Sequence, residues 1–123
     1  MASQIVQLTD GENMIYPQVE LQRSSVTMSS GWSNNFHDVA KSGRTVTVNF
    51  NFSKSSELTS NSWNTMATLP TGYRPTYQLI QFAGYNDTGA VAILCRVTTS
   101  GTIDVYIHNE SAVSPRGQIT FMI

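Results

Sequence analysis

The residues whose types could perform chemistry are few and lie far apart in the sequence. The two histidines, His37 and His108, fall on separate predicted strands. A serine nucleophile would need one of them as a base and a third group to orient the imidazole ring. No Gly-x-Ser-x-Gly turn is present to expose such a serine. The sequence therefore favours solvent-facing or interface roles for both histidines.

The acidic residues show no catalytic or metal-binding spacing either. A glycosidase needs two carboxylates on either side of a sugar bond, and a calcium loop needs oxygen ligands at alternating positions. The Asp10-Gly11-Glu12-Asn13 segment lacks that alternation and is typical of a turn. One cysteine, Cys95, gives neither an internal disulfide nor a cysteine-based zinc site. We expect a protein that is not an enzyme and has no cofactor or metal.

A hairpin near the C-terminus provides the most informative surface. Thr99-Ser100-Gly101 has the form of a three-residue loop with Gly101 in the left-handed conformation. The resulting register pairs Val97 with Ile103 and makes one face entirely apolar, which places Cys95 in the core as a small apolar residue. The opposite face presents three cross-strand pairs: Arg96 with Asp104, Leu94 with Tyr106, and Ala92 with His108.

This outward hairpin face has two interpretations. Tyr106 and Leu94 form a small apolar platform beside hydrogen-bonding side chains, which suits a sugar because C–H groups stack on the ring while hydroxyls need directional partners. A cross-strand ion pair beside an exposed tyrosine, or a face buried against another subunit, would give the same pattern. The residues alone favour this second interpretation over a ligand site.

The elements that position these residues are predicted to be strands. Segments rich in Val, Ile, Thr, Phe and Tyr alternate with clusters of Gly, Pro, Ser and Asn, which predicts an antiparallel sandwich or barrel. The predicted strands cover residues 3–8, 19–28, 36–40, 44–52, 77–83, 91–98, 102–108 and 117–123. Residues 53–77 are predicted as one long connection. It either carries function or fills the barrel with Trp63, Met66 and Leu69.

Length and charge limit the classes of partner. A chain of 123 residues is the size of one domain with its own core. The formal net charge of −1 argues against nucleic acid, and no basic run favours an anionic membrane. No apolar run is long enough to span a bilayer, and no secretory signal precedes the first strand. We therefore expect synthesis in a cytoplasm and no membrane insertion.

Several strings in the C-terminal part of the chain resemble a known family. They are Leu69-Pro70-Thr71-Gly72-Tyr73-Arg74-Pro75, Gln81-Phe82-Ala83-Gly84, the Ser100-Gly101-Thr102-Ile103 hairpin and Pro115-Arg116-Gly117. In this order and spacing they are similar to the head domains of receptor-binding proteins from siphophages that infect lactococci and related Gram-positive bacteria. The Gly31-Trp32 turn and the 46–52 strand extend the resemblance to about residue 30.

The resemblance implies a compact antiparallel β-barrel or sandwich, Greek-key or jelly-roll-like, with about six to eight strands in each protomer of a homotrimer. We expect residues 1–28 to form an N-terminal strand or neck segment and residues 29–123 the head domain. The implied place is the phage tail tip of a virion, made in the host cytoplasm. The implied partners are a host cell-wall saccharide and other baseplate or tail proteins.

The family's saccharide pocket corresponds to Leu94, Arg96, Tyr106 and Arg116 in this sequence. Tyr106 keeps an aromatic ring and Arg116 matches the family, whereas Leu94 and Arg96 replace an imidazole and a carboxylate. Two arginines could favour an acidic or phosphorylated polymer, unless Asp104 neutralises Arg96.

The candidate saccharide site therefore combines the residues of the outward hairpin face with those implied by the resemblance. Its members are Tyr106, Arg116, Arg96, Asp104, His108 and Leu94. The alternative function is a structural baseplate or fibre-tip domain that binds other virion proteins without binding sugar, because the family's imidazole and carboxylate are missing.

Overall fold

The computed structural model describes residues 21–54, 62–87, 91–106 and 114–123, together with the backbone of residues 8–9 and 14–15. Every helix or strand in this part of the chain is a β-strand, which confirms the all-β prediction for it. In chain order the strands are β1 (Leu8–Thr9), β2 (Met14–Ile15), β3 (Leu21–Ser24), β4 (Thr27–Met28), β5 (Trp32–Ser42), β6 (Thr45–Lys54), β7 (Trp63–Thr68), β8 (Leu79–Asn86), β9 (Val91–Val97), β10 (Thr102–Tyr106) and β11 (Pro115–Met122).

Strands β3 to β11 form one antiparallel sheet that curls into a half-barrel. Its order is β3-β5-β6-β11-β8-β9-β10-β7-β4, while β1 pairs with β2 in a separate hairpin. The expectation of six to eight strands is therefore wrong, since the main sheet alone has nine. One reason is that the described part of the predicted 19–28 strand, residues 21–28, contains two strands, which pair with β5 and β7 at opposite edges of the sheet.

The other reason is β7, which lies in the segment predicted as a connection. Trp63–Thr68 pairs with β10 on one side and β4 on the other. The register shifts between Ile103 and Asp104, so the consecutive residues Met66 and Ala67 are both buried. A β-bulge of this kind removes the simple alternation by which a strand is predicted from sequence.

One apolar core lies inside the curled sheet. The predicted inward face of β6 is confirmed, because Val46, Val48, Phe50 and Phe52 are all buried. The other core residues come from β5, β7, β9, β10 and β11, together with Leu69 just after β7. They are Trp32, Val39, Met66, Ala67, Leu69, Ile93, Cys95, Val97, Ile103, Val105, Ile119 and Phe121. One interpretation of residues 53–77 is that Trp63, Met66 and Leu69 fill the barrel. Met66 and Leu69 do lie in the core, whereas Trp63 is only partly buried.

The sheet has two parts, β3-β5-β6-β11 and β8-β9-β10-β7-β4. A short stretch of pairing between β8 and β11 joins them. Pairing is limited to residues 84–86 of β8 and 115–117 of β11, with Gly84 opposite Gly117. A Cβ atom on Gly84 would overlap the carbonyl oxygen of Arg116, and one on Gly117 would overlap that of Ala83. Glycine is therefore required at both positions, because only a backbone without side chains can approach this closely.

The predicted register of the β9–β10 hairpin is confirmed. Val97 lies opposite Ile103, Arg96 opposite Asp104, Cys95 opposite Val105 and Leu94 opposite Tyr106. Gly101 has a φ of 91°, the left-handed conformation that its loop requires. The predicted pairing of Ala92 with His108 lies outside the described residues.

Cys95 occupies the core, as predicted, and is fully buried. Burial away from water raises the pKa of its thiol from 9.0 to about 12, and the negative charge of Asp104 adds to the increase. The thiolate is the reactive form of cysteine, so the folded protein holds this thiol in its inert state.

We expect Cys95 to resist a chromogenic disulfide reagent in the native protein and to react once denaturant unfolds the chain.

The raised pKa of Cys95 also predicts how stability depends on pH. A thiol whose pKa is higher in the folded state stabilises the fold below the unfolded pKa, and this stabilisation is lost as the pH rises from 9.0 toward about 12. The measurement is the free energy of unfolding against pH for the wild type and Cys95→Ala. The wild type should lose stability more steeply above pH 9.0, and parallel curves would contradict the prediction.

Candidate functional site

Strands β7, β9 and β10 bring a polar and aromatic group of residues together on the face of the sheet opposite the core. The hairpin register places Leu94, Arg96, Asp104 and Tyr106 on this face, as predicted. Strand β7 adds residues that the sequence had not placed there, because Trp63 lies opposite Tyr106 and Thr65 opposite Asp104. We call this group the hairpin-face cluster: Trp63, Thr65, Leu94, Arg96, Asp104 and Tyr106.

Asp104 is the buried centre of the hairpin-face cluster. Its residue exposure is 1%, although the sequence indicated a position at the edge of an exposed platform. The Thr65 hydroxyl donates a 2.7 Å hydrogen bond to Oδ1. Arg96 reaches Oδ2 with both Nε and Nη2, at 2.9 and 2.8 Å. Both carboxylate oxygens are therefore engaged, and Asp104 holds Arg96 in place.

The fixed position of Arg96 orders the aromatic rings next to it. Its guanidinium carbon lies 4.5 Å from the centre of the Trp63 ring, within the range of a cation–π contact. Trp63 meets Tyr106 edge to face, with ring centres 5.4 Å apart and an interplanar angle of 69°. A continuous series of contacts thus runs from the buried carboxylate to two partly exposed rings.

Trp63 was the principal member missed at this site. Sequence patterns predict that Trp63 lies in the connection of residues 53–77, where it is one of the side chains that would fill the barrel. The signal that locates it is its pairing with Tyr106, which depends on the register between β7 and β10. The two strands are separated by β8 and β9 in the chain, so no local pattern reveals this contact.

Arg116 lies apart from the other predicted site residues. It is on β11, and β8 and β9 separate that strand from β10 in the sheet. Its Nη2 forms a 3.0 Å ion pair with Asp87 Oδ2, and its guanidinium carbon lies 5.9 Å from the centre of the Tyr85 ring. The predicted set is therefore divided between two surfaces. His108, its remaining member, lies outside the described residues.

Arg116 lines a cleft of about 520 Å³ on the outer face of β5, β6, β11 and β8. We call it the β11 cleft. Its side chains include two aromatic rings, three amides and the Arg116 guanidinium, namely Phe36, Tyr85, Asn49, Asn51 and Gln118 beside Arg116. Clefts of several hundred Å³ with a few polar groups are the usual form of small-ligand sites.

The described residues contain no group of three or more His, Cys, Asp or Glu side chains placed to hold a metal ion. Nor does that part of the chain include a helix that is long and apolar enough to cross a membrane.

The sequence matched no model of a known protein family and no curated protein.

The hairpin-face cluster depends on the Arg96–Asp104 pair, which gives a stability prediction. Arg96→Met removes the partner of a buried carboxylate, so we expect the free energy of unfolding to fall by about 3 kcal/mol. Arg23→Met is the matched control, because the Arg23–Asp38 pair lies at the surface and should contribute less than about 1 kcal/mol. Denaturant titration of both variants measures the difference. Equal losses of unfolding free energy in the two variants would contradict the prediction that Arg96 stabilises the buried Asp104 carboxylate.

Proposed function

We propose that this chain is the receptor-binding head of a phage tail and that it attaches the virion to a saccharide of the host cell wall. The resemblance described from the sequence supports the phage assignment. The ordered pair of rings in the hairpin-face cluster carries the proposal that the ligand is a saccharide. In this proposal the protein binds and does not catalyse.

The hairpin-face cluster has the groups that a sugar ring requires. Trp63 and Tyr106 provide aromatic surfaces on which C–H groups can stack, and the Tyr106 hydroxyl can donate or accept a hydrogen bond. Arg96 is partly exposed and has more N–H groups than the two that Asp104 engages. Because Asp104 balances the Arg96 charge, the proposed ligand is not restricted to an acidic polymer.

A homotrimer is part of the proposal, and an apolar strip beside the cluster supports it. On β8, Ile80 is 52% exposed and Phe82 is 75% exposed. Phe82 lies opposite Leu94, which lies opposite Tyr106, so the apolar surface continues into the hairpin-face cluster. Contiguous exposed apolar surface is a feature of sites where proteins interact. The proposed saccharide site then lies close to a subunit boundary.

The saccharide assignment is tested by removing one ring at the surface. Tyr106→Ala should weaken binding to purified host cell-wall polysaccharide by about tenfold or more, since it removes a stacking ring. Biolayer interferometry measures the affinity, and circular dichroism verifies that the variant is folded. Tyr77→Ala is the control, because Tyr77 is highly exposed and is not part of the cluster. Wild-type affinity in folded Tyr106→Ala would contradict the assignment.

The apolar strip also favours a second candidate function, a structural baseplate domain that joins other virion proteins and binds no sugar. Tight capture of another tail protein, without binding to any cell-wall polysaccharide, would support that function instead.

The trimer has its own test in solution. We expect light scattering to give three times the protomer mass for the purified wild type and a smaller species for Phe82→Glu, which places a charge in the apolar strip. Met122→Glu is the control, because Met122 is exposed on β11 outside the strip. A wild-type protein that remains monomeric at all concentrations would contradict the trimer.

A further inference from the structure

We infer that the β11 cleft is a second carbohydrate site and that it accepts an uncharged sugar ring. It shares no residue with the hairpin-face cluster, so the inference goes beyond the proposed function. The argument starts from a row of side chains that crosses four strands. Phe36 lies opposite Asn51, Asn51 opposite Arg116, and Arg116 opposite Tyr85.

The two ends of this row are aromatic and accessible. Phe36 is 57% exposed and Tyr85 is 42% exposed. Exposed aromatic surface that is rimmed by polar residues is a feature of ligand-binding grooves. Since both line the same cleft, a ring-shaped ligand could contact either one through its C–H groups.

Amide groups occupy the space between the aromatic ends. Asn51 is in the row itself, and Asn49 lies opposite Gln118 in the next row of the same face. Among the described residues, the side chains of Asn49 and Gln118 form no hydrogen bond, and Asn35 reaches the Asn51 oxygen only at 3.5 Å. Each amide has both donors and an acceptor, which matches the dual character of sugar hydroxyls.

The charge in the cleft points to an uncharged ligand. The Arg116 guanidinium is the cation of the cleft lining, and Asp87 forms a 3.0 Å ion pair with it. An anionic ligand would have to compete with this carboxylate for the guanidinium and would be repelled by it. A neutral hydroxyl can accept a hydrogen bond from an N–H group of Arg116 without displacing Asp87.

The floor of the cleft is built from backbone and is preformed. Gly84 and Gly117 line it where β8 and β11 pair closely, and neither position can hold a side chain. Phe50, also in the lining, is 3% exposed and belongs to the core. A cleft whose floor is fixed by the fold loses little entropy when a ligand binds, which favours recognition of a small rigid ring.

The test uses defined sugars and isotope-labelled full-length protein. Glucose, galactose and N-acetylglucosamine are titrated separately, and NMR follows the backbone amides of β8 and β11. We expect at least one sugar to shift signals around Tyr85 and Arg116 in a saturable manner. Tyr85→Ala and Asn51→Ala should each weaken that binding by about tenfold. Thr47→Ala is the matched control, since Thr47 lies on the same strand and face as Asn51 but outside the cleft.

Three results would overturn this inference. They are the absence of saturable shifts at the cleft with all three sugars, wild-type affinity in folded Tyr85→Ala, and tighter binding of glucose 6-phosphate than of glucose. Tyr106→Ala separates this site from the hairpin-face cluster. If Tyr106→Ala loses polysaccharide binding and the cleft shows no shifts, the proposed function stands and the second site is rejected. If the cleft shifts persist while Tyr106→Ala binds polysaccharide normally, the second site stands and the hairpin-face assignment is rejected.

Discussion

The close approach of Gly84 and Gly117 is the constraint on which the rest of the structure depends. It joins β8 to β11 over a short stretch, after which β11 continues along β6 and β8 continues along β9. The sheet can therefore curl, and its two parts enclose one core. A side chain at either glycine would push these parts away from each other. The same close pairing forms the floor of the β11 cleft, so the architecture and one of the candidate sites have a common cause.

The two outer surfaces share a chemical arrangement. In each one an arginine is paired with an aspartate and lies near an aromatic ring: Arg96 with Asp104 and Trp63, and Arg116 with Asp87 and Tyr85. They differ in burial, because Asp104 is covered whereas the Arg116–Asp87 pair is partly exposed. In both, the carboxylate balances the cation and fixes a guanidinium near an aromatic face. Such surfaces suit neutral polyhydroxylated ligands better than polyanions.

Much of the fold could be predicted from local sequence patterns. The alternation from Val46 to Phe52 and the Gly101 turn each fix a face or a register within a few residues, and both predictions are confirmed. Strand β7 could not be predicted in this way, because a bulge hides its alternation and its partners β4 and β10 are distant in the chain. The same limit applies to Trp63 and to the burial of Asp104. The resemblance implies a site at Arg116, but the cleft around this residue arises from four strands that only the fold brings together.

Binding of the purified domain to an array of bacterial cell-wall polysaccharides and their oligosaccharide fragments tests most directly whether these surfaces recognise sugars. We expect selective, saturable binding to a subset of glycans from Gram-positive hosts, retained at moderate salt because the arginines of both surfaces are already neutralised. No binding to any glycan by folded protein, or binding that follows only the negative charge of the polymer and disappears with salt, would contradict this conclusion.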